Sequence, residues 1–261
     1  MTQPSLPIVD REAWDPQVRS RLRGLLMLPL QVLFAFGFLA PVAALAYVYP
    51  SFCLKRARWI ISTWGRTQLR IAGIGLQVHG REHLDKPGAA IALFNHQSVI
   101  DLLVVSSIWP ENAKVLYKKE FHRIPILGRT MRTLEMISID RSNREAAMAT
   151  MAAAAGTIRE HAVKVVLAPE GTRSRTDGML PFKRGPFHMA IETKAPMIPL
   201  VLQGIRKVMP PRTLLSRGGT VRIDVLPPID TTNWTLETID QHMADVHAIY
   251  TAYVPPQTTK S

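Results

Sequence analysis

The chain has 261 residues, of which 32 are Lys or Arg, 20 are Asp or Glu and one is Cys, for a formal net charge of +12. At about 150 residues per domain this is one large domain, or one domain with an appendage, and it can bury a sizeable core. Hydrophobic residues make up 47% and charged residues 20%, which excludes a disordered chain. The single Cys53 excludes an intrachain disulfide framework and a cysteine-based zinc cluster, and it suits a reducing compartment. The positive excess favours anionic partners: nucleic acid, an acidic membrane surface or phosphorylated substrates.

Residues 1–18 are polar, contain Pro4, Pro7 and Pro16, and read as a loose arm. Arg19, Arg21 and Arg23 follow, and residues 24–54 then form a run of 31 positions without one charge. About 20 apolar residues suffice to cross a bilayer as a helix. The run is too long for the apolar region of a signal peptide and begins too late. Lys55, Arg56 and Arg58 close it, so cations flank both sides. A single span would place one basic flank on the wrong side of the membrane. Pro41 lies near the middle, with Pro29 and Pro50 nearer the ends, and proline breaks helical hydrogen bonding. Two short helices forming a re-entrant hairpin, both ends cytoplasmic, satisfy both observations; one full span is the alternative. Cys53 reads as a small packing residue in this segment. Residues 55–71 mix cations with Trp59, Ile60, Ile61, Trp64 and Leu69. That composition suits the headgroup interface, and equally an amphipathic helix packed on the core.

Beyond residue 73 the pattern changes. Short β-branched runs at 74–80, 89–95, 113–118, 135–140, 163–168, 197–203 and 220–226 predict strands. Helix-like stretches at 98–108, 124–134, 143–162 and 185–194 lie between them, and a last one at 236–252 closes the fold. The Ala-rich 143–162 stretch opens on Ser142 and Asn143, both possible caps. The expected fold is α/β, a sheet flanked by helices over 72–254, with an N-terminal hydrophobic membrane-associated helical segment over 19–71 and a tail at 255–261.

Four segments could carry chemistry. Asn95-His96-Gln97-Ser98-Val99-Ile100-Asp101 follows an apolar strand, where a rigid scaffold holds functional groups. Ser98 can cap the next helix, which would put Asp101 about one turn inside it. A His with a nearby carboxylate is a base and its orienter, the carboxylate fixing the tautomer and stabilising the imidazolium. Helix capping is the plainer reading of the same residues. Pro169-Glu170-Gly171-Thr172-Arg173-Ser174-Arg175 offers backbone N–H groups, hydroxyls and guanidinium groups to an oxyanion, or is a solvated basic loop. Lys118-Lys119-Glu120-Phe121-His122-Arg123-Ile124-Pro125-Ile126-Leu127-Gly128 again follows a strand, and Ala195-Pro196-Met197-Ile198-Pro199-Leu200 enters one. Arg141, Lys183, Arg184 and Gly185 could extend the basic pocket or lie in solvated loops. His79 and His83 are four apart, but the strand end at 74–80 breaks the helical spacing a metal would need, so no metal site is expected.

Taken in order, the four segments resemble the glycerolipid acyltransferase family, specifically the 1-acyl-glycerol-3-phosphate acyltransferases. The NHxxxxD box matches Asn95 to Asp101, and the K-x-E-L-x-x-x-P-x-x-G segment matches Lys118 to Gly128 with Phe121 in place of Leu. The EGTRS box matches Glu170 to Ser174, and the last segment matches the family's Pro-containing strand. The resemblance covers roughly residues 74–205. It implies that His96 is the general base toward a lysolipid hydroxyl and that Asp101 orients it. Arg173, assisted by Lys118, would hold the acceptor phosphate in a pocket shaped by Glu170, Gly171 and Thr172, with Pro125 and Gly128 forming the wall near the acyl chain. The donor would be a thioester of coenzyme A or acyl carrier protein, with no further cofactor and no covalent acyl-enzyme. The expected product is phosphatidic acid from lysophosphatidic acid. The alternatives are another acceptor such as a lyso-ornithine lipid, or a non-catalytic basic membrane-binding protein. Partners are thus the lysophospholipid, the acyl carrier and a membrane, at the cytoplasmic face of a bacterial inner membrane. Nucleic acid is not expected, because aromatic residues are only 7% and no nucleic-acid module is recognisable.

Overall fold

The structure is a computed structural model that describes residues 21–174, 178–210 and 213–254. The polar arm at 1–18, the tail at 255–261, and Arg19 and Arg175 lie outside the described residues.

Seven strands form one sheet in the order β1-β7-β6-β2-β5-β3-β4. They are β1 (Ile74–His79), β2 (Ala90–Phe94), β3 (Ala113–Lys118), β4 (Ile137–Ile139), β5 (Lys164–Leu167), β6 (Met197–Gln203) and β7 (Gly219–Val225). Each lies within or beside one of the β-branched runs. All neighbouring pairs are parallel except β6 with β7. Strand β2 is central and buried throughout, which is why it reads as a continuous apolar run and not an alternating one. Its Ala90, Ala92 and Phe94 point to one core, and its Ile91 and Leu93 to the other.

The second core is covered by α7 (Arg144–His161), α8 (Gly185–Thr193) and α10 (Ile239–Tyr253). Asn143 caps α7 by accepting from the Ala146 N–H at 3.0 Å, while Ser142 instead bonds Asp140. From α10, the Tyr250 hydroxyl donates to the Leu93 carbonyl at 2.6 Å. It ties the last helix to the strand that leads into His96, and its full burial pushes the phenol pKa up.

The first core is covered by the N-terminal helices α1 (Arg21–Val48), α2 (Pro50–Lys55) and α3 (Ala57–Ile71), together with α5 (Asp101–Ser107) and α6 (Pro125–Thr133). The short helices α4 (Arg81–Asp85) and α9 (Ile205–Val208) complete the chain order. The expected pair of short helices divided at Pro41 is not what forms. Helix α1 runs unbroken through Pro29 and Pro41 for 28 residues. Each proline removes one N–H from a long ladder, a local cost the remaining turns absorb. The chain turns at Tyr49, whose φ of −129° and ψ of 64° leave the helix. Pro50 disfavours helical geometry in the residue before it and then starts α2.

Helix α3 returns antiparallel along α1. The side chain of Gln31 donates to the Gln68 carbonyl at 3.4 Å, that of Gln68 donates to the Gln31 carbonyl at 3.0 Å, and Phe38 meets Trp59 at 6.5 Å between ring centres. A hairpin does form, but its bend lies at Tyr49–Arg56.

The stretch Gly24–Val48 is long and apolar enough to cross a membrane. It nevertheless touches the α/β domain near both ends. A Cβ added at Gly24 would lie 2.9 Å from the Ser216 carbonyl, and Arg129 of α6 sits over the Tyr47 ring at 4.6 Å. Between these points Leu39, Ala43 and Ala46 are buried, while Leu25, Leu26, Leu30, Leu33 and Phe36 face outward. Helix α1 therefore lies lengthwise on the domain and presents an apolar outer face.

Candidate active site

Five parallel strands end on one edge of the sheet, the edge where open α/β sheets bind ligands. The residues just beyond these strand ends carry the polar groups: His96 after β2, Lys118 closing β3, Arg141 after β4, Arg173 after β5 and Arg206 after β6. Because β2 and β5 are hydrogen-bonded neighbours, the loops that follow them emerge side by side.

The β2 loop is fixed from several directions. Asn95 is fully buried; its side chain donates to the Leu202 carbonyl at 2.9 Å and accepts from the Leu202 N–H at 2.7 Å, which locks the loop onto β6. His96 is held through both backbone groups by the segment after β5. Its N–H donates to Glu170 Oε1 at 2.7 Å, and its carbonyl accepts from the Ser174 N–H at 2.8 Å. The Phe94 ring meets the imidazole edge-on at 5.8 Å.

His96 Nδ1 lies 2.8 Å from Asp101 Oδ2. An ionised carboxylate only accepts hydrogen bonds, so Nδ1 carries the proton and Nε2 is left with its lone pair. The Asp101 side chain is fully buried, whereas the imidazole remains 15% exposed. The same Oδ2 also accepts from the N–H groups of Gln97 and Ser98 at 2.6 and 2.8 Å. Ser98 is thus not the cap of the helix that follows. Asp101 is the first residue of α5, and its carboxylate reaches back to the preceding turn. That carboxylate closes its own loop and orients the ring in one arrangement, and the two readings of the motif merge.

Glu170, expected among the groups that bind substrate, is turned inward and is 1% exposed. One oxygen takes the His96 N–H and the other takes the Leu180 N–H at 2.9 Å. Burial pushes this carboxyl's pKa up, against the two backbone donors that favour its charged form. Glu170 braces the histidine loop and does not offer an oxygen to solutes. Gly171 has a φ of +71°, a conformation that glycine adopts without strain, and lies under the Lys183 side chain. Thr172 and Arg173 point to solvent, where an anion can reach them. Lys118 is half exposed and pairs with Glu120 at 3.1 Å.

Arg206 is the site residue that the sequence reading overlooked. Its guanidinium donates to the Ser174 carbonyl at 3.2 Å, binding the end of β6 to the EGTRS loop. The available signal was its place just past a predicted strand on the same edge.

An apolar cavity of about 120 Å³ lies beneath α5. Leu102 and Val105 of α5, Trp64 of α3, Phe121, and Leu127 and Met131 of α6 are among its lining residues. Gly128, expected in this wall, does not line it. Its Cα faces the backbone of His122, where a Cβ would lie 2.6 Å from the carbonyl oxygen, so the glycine permits a close backbone approach. Pro125 opens α6 at its first position. Among the described residues no group of three or more His, Cys, Asp or Glu side chains is placed to hold a metal.

The fold is that of an α/β protein whose sheet carries, at its carboxyl edge, an imidazole 2.8 Å from a buried carboxylate. A family model described as Acyltransferase matches residues 75–203. A 1-acyl-sn-glycerol-3-phosphate acyltransferase of Limnanthes douglasii is 36% identical over 185 residues, covering 71% of this chain and 65% of that protein. The protein of the same description from Salmonella typhimurium is 31% identical over 192 residues, covering 72% of this chain and 78% of that protein. The crystal structure of the 1-acyl-sn-glycerophosphate (LPA) acyltransferase PlsC from Thermotoga maritima superposes with a TM-score of 0.73 at 21% identity, over 93% of this chain and 99% of that one. The chain belongs to the acyltransferase family. It spans less than two thirds of several relatives, 65% of the Limnanthes douglasii protein and 61% of the one from Cocos nucifera.

Proposed function

We propose that the chain transfers a fatty acyl group from an acyl thioester to the free hydroxyl of lysophosphatidic acid, giving phosphatidic acid. The observation that carries this reading is the 2.8 Å contact between His96 Nδ1 and the buried Asp101 carboxylate, which leaves Nε2 as a base at an edge rich in cations.

The acceptor hydroxyl gives its proton to His96 Nε2 as its oxygen forms a bond to the thioester carbonyl carbon. Asp101 stabilises the imidazolium so formed. The tetrahedral intermediate collapses, the carbon–sulfur bond breaks, and the imidazolium returns the proton to the departing sulfur as a thiol. The thioester is already activated, so no acyl-enzyme is needed. Arg173, with Lys118, holds the acceptor phosphate by charge-assisted hydrogen bonds. The apolar cavity below α5 receives a hydrocarbon chain, since Asp101 heads the helix whose Leu102 and Val105 line it. The carrier is coenzyme A or acyl carrier protein, both anionic.

The reading is tested by incubating the purified chain in vesicles with acyl-CoA, or with acyl carrier protein carrying the same chain, and a panel of lysolipids, with products identified by mass spectrometry. Phosphatidic acid is the expected product, formed faster than any ester of a phosphate-free acceptor. Equal rates on a lyso-ornithine lipid contradict the phosphate assignment, and no thioester consumption contradicts catalysis.

The same proposal places the protein on the cytoplasmic face of a membrane without crossing it. Helix α1 touches the α/β domain near both ends, so its apolar outer face enters one leaflet lengthwise, the arrangement of an interfacial helix. Single cysteines at Arg23 and Lys55, in a Cys53→Ala background, are expected to react with a membrane-impermeant maleimide from the same side of oriented vesicles. Labelling from opposite sides contradicts this topology.

A further inference from the structure

Helix α5 has only seven residues, and its two ends do different work. Its first residue is Asp101, the partner of His96. Its last residue, Ser107, presents a carbonyl that accepts from Arg66 Nε at 2.9 Å. Arg66 belongs to α3, the returning arm of the apolar hairpin.

The neighbouring Gly65 sits at the closest point of the same seam. A Cβ there would lie 2.8 Å from the Leu103 carbonyl oxygen, from Ser106 Cβ and from the Ser107 nitrogen. Two of those atoms belong to the α5 backbone, so no side-chain rotation relieves the contact. A side chain at this position would have to push α5 away from α3. The start of α3 is fixed independently: Arg58 pairs with Asp85 at 3.2 Å and with Glu111, in the loop after α5, at 2.9 Å. At about 1.5 Å per residue α5 is roughly 10 Å long, too short to bend, so a displacement of its last turn is passed to its first.

Resting on the catalytic reading of the dyad above, we propose that Gly65 and Arg66 are positioning residues for the reaction. They seat α5 and thereby set the Asp101 carboxylate against His96, although neither touches a reacting atom. The returning arm of the hairpin, α3, is thus also the support of the catalytic carboxylate. A displacement of about 1 Å in such a support can cost up to about 100-fold in rate.

The test uses the full chain in vesicles and compares Gly65→Ala, Arg66→Met and Arg66→Lys with His96→Ala and with Arg70→Met, whose side chain is exposed on the same helix. Vesicle binding and thermal midpoint are recorded for each. Gly65→Ala and Arg66→Met are expected to lower kcat by about tenfold or more. KM for lysophosphatidic acid should stay within about twofold, with vesicle binding retained. Arg66→Lys keeps a donor for the Ser107 carbonyl and recovers most of kcat, while Arg70→Met matches the unmodified protein. A merely structural role would lower the thermal midpoint without the kcat-against-KM split and without the lysine rescue. Should Gly65→Ala fail to fold, the Arg66 pair decides alone, because that side chain is exposed. The inference is overturned if kcat of Arg66→Met stays within about twofold, or if Arg66→Lys is no better, while His96→Ala is inactive. Activity surviving in His96→Ala overturns the catalytic reading beneath it, a separate and recognisable result.

Discussion

His96→Ala is expected to lower the rate of acyl transfer by about 10²–10⁴-fold, the range a positioned general base contributes. Vesicle binding should be unchanged, because the imidazole meets Phe94 and Asp101 at the strand edge and His96 lies outside the hairpin helices. Asp101→Asn should fall in the same direction for a different reason. The carboxylate oxygen accepts three donors: the imidazole and the Gln97 and Ser98 N–H groups. An amide oxygen in the place of Oδ2 can still accept from all three, with the NH₂ in the place of Oδ1, which has no partner. What the amide lacks is the negative charge that stabilises the imidazolium formed when the ring takes a proton. Since the two residues act as a unit, His96→Ala with Asp101→Asn should be hardly slower than His96→Ala alone. Initial rates of phosphatidic acid formation for the three variants check this, and a multiplicative loss in the double variant contradicts a shared role.

Glu170→Gln is the second large effect expected. The change is nearly isosteric and touches no solute, so a residue that merely lined a phosphate pocket would tolerate it or bind the anion better. In this fold both Glu170 oxygens accept backbone N–H groups, from His96 and from Leu180. The amide leaves one of those buried donors facing another donor, a penalty of about 1–3 kcal/mol. It also frees the histidine loop on one side, for which about a 10–100-fold fall in kcat is expected. KM for the acceptor should move little, because Arg173 and Lys118 remain. An unchanged kcat, with an acceptor KM unchanged or lowered, would show instead that Glu170 merely lines the binding pocket.

Much of this architecture is legible in the residue order. The strands were legible because a buried parallel sheet demands short β-branched runs, and the helices between them fall where charged and small residues interrupt those runs. The contact between His96 and Asp101 was legible because the two residues lie five positions apart around one strand-to-helix turn. Contacts between distant segments were not. Glu170 reads as a binding residue in a basic loop, and only the tertiary fold brings the His96 and Leu180 N–H groups to its two oxygens. Gly128 reads as part of a pocket wall, whereas its role is set by a backbone lying against it. Arg206 stands next to no motif and enters the site through the sheet order alone. Pro41 promised a break that a 28-residue helix absorbs, while Pro50 made the turn because Tyr49 before it could leave the helix.

The central claim is direct transfer: an imidazole steered by a buried carboxylate deprotonates the lysolipid hydroxyl, and the thioester carbonyl never resides on the protein. The most direct measurement is thiol release from acyl-CoA by the chain in vesicles, followed with and without lysophosphatidic acid, alongside the intact mass of the protein. Direct transfer predicts release only when acceptor is present, one thiol for each phosphatidic acid, and an unmodified protein mass throughout. A burst of thiol without acceptor, matched by a protein heavier by one acyl group, would contradict it.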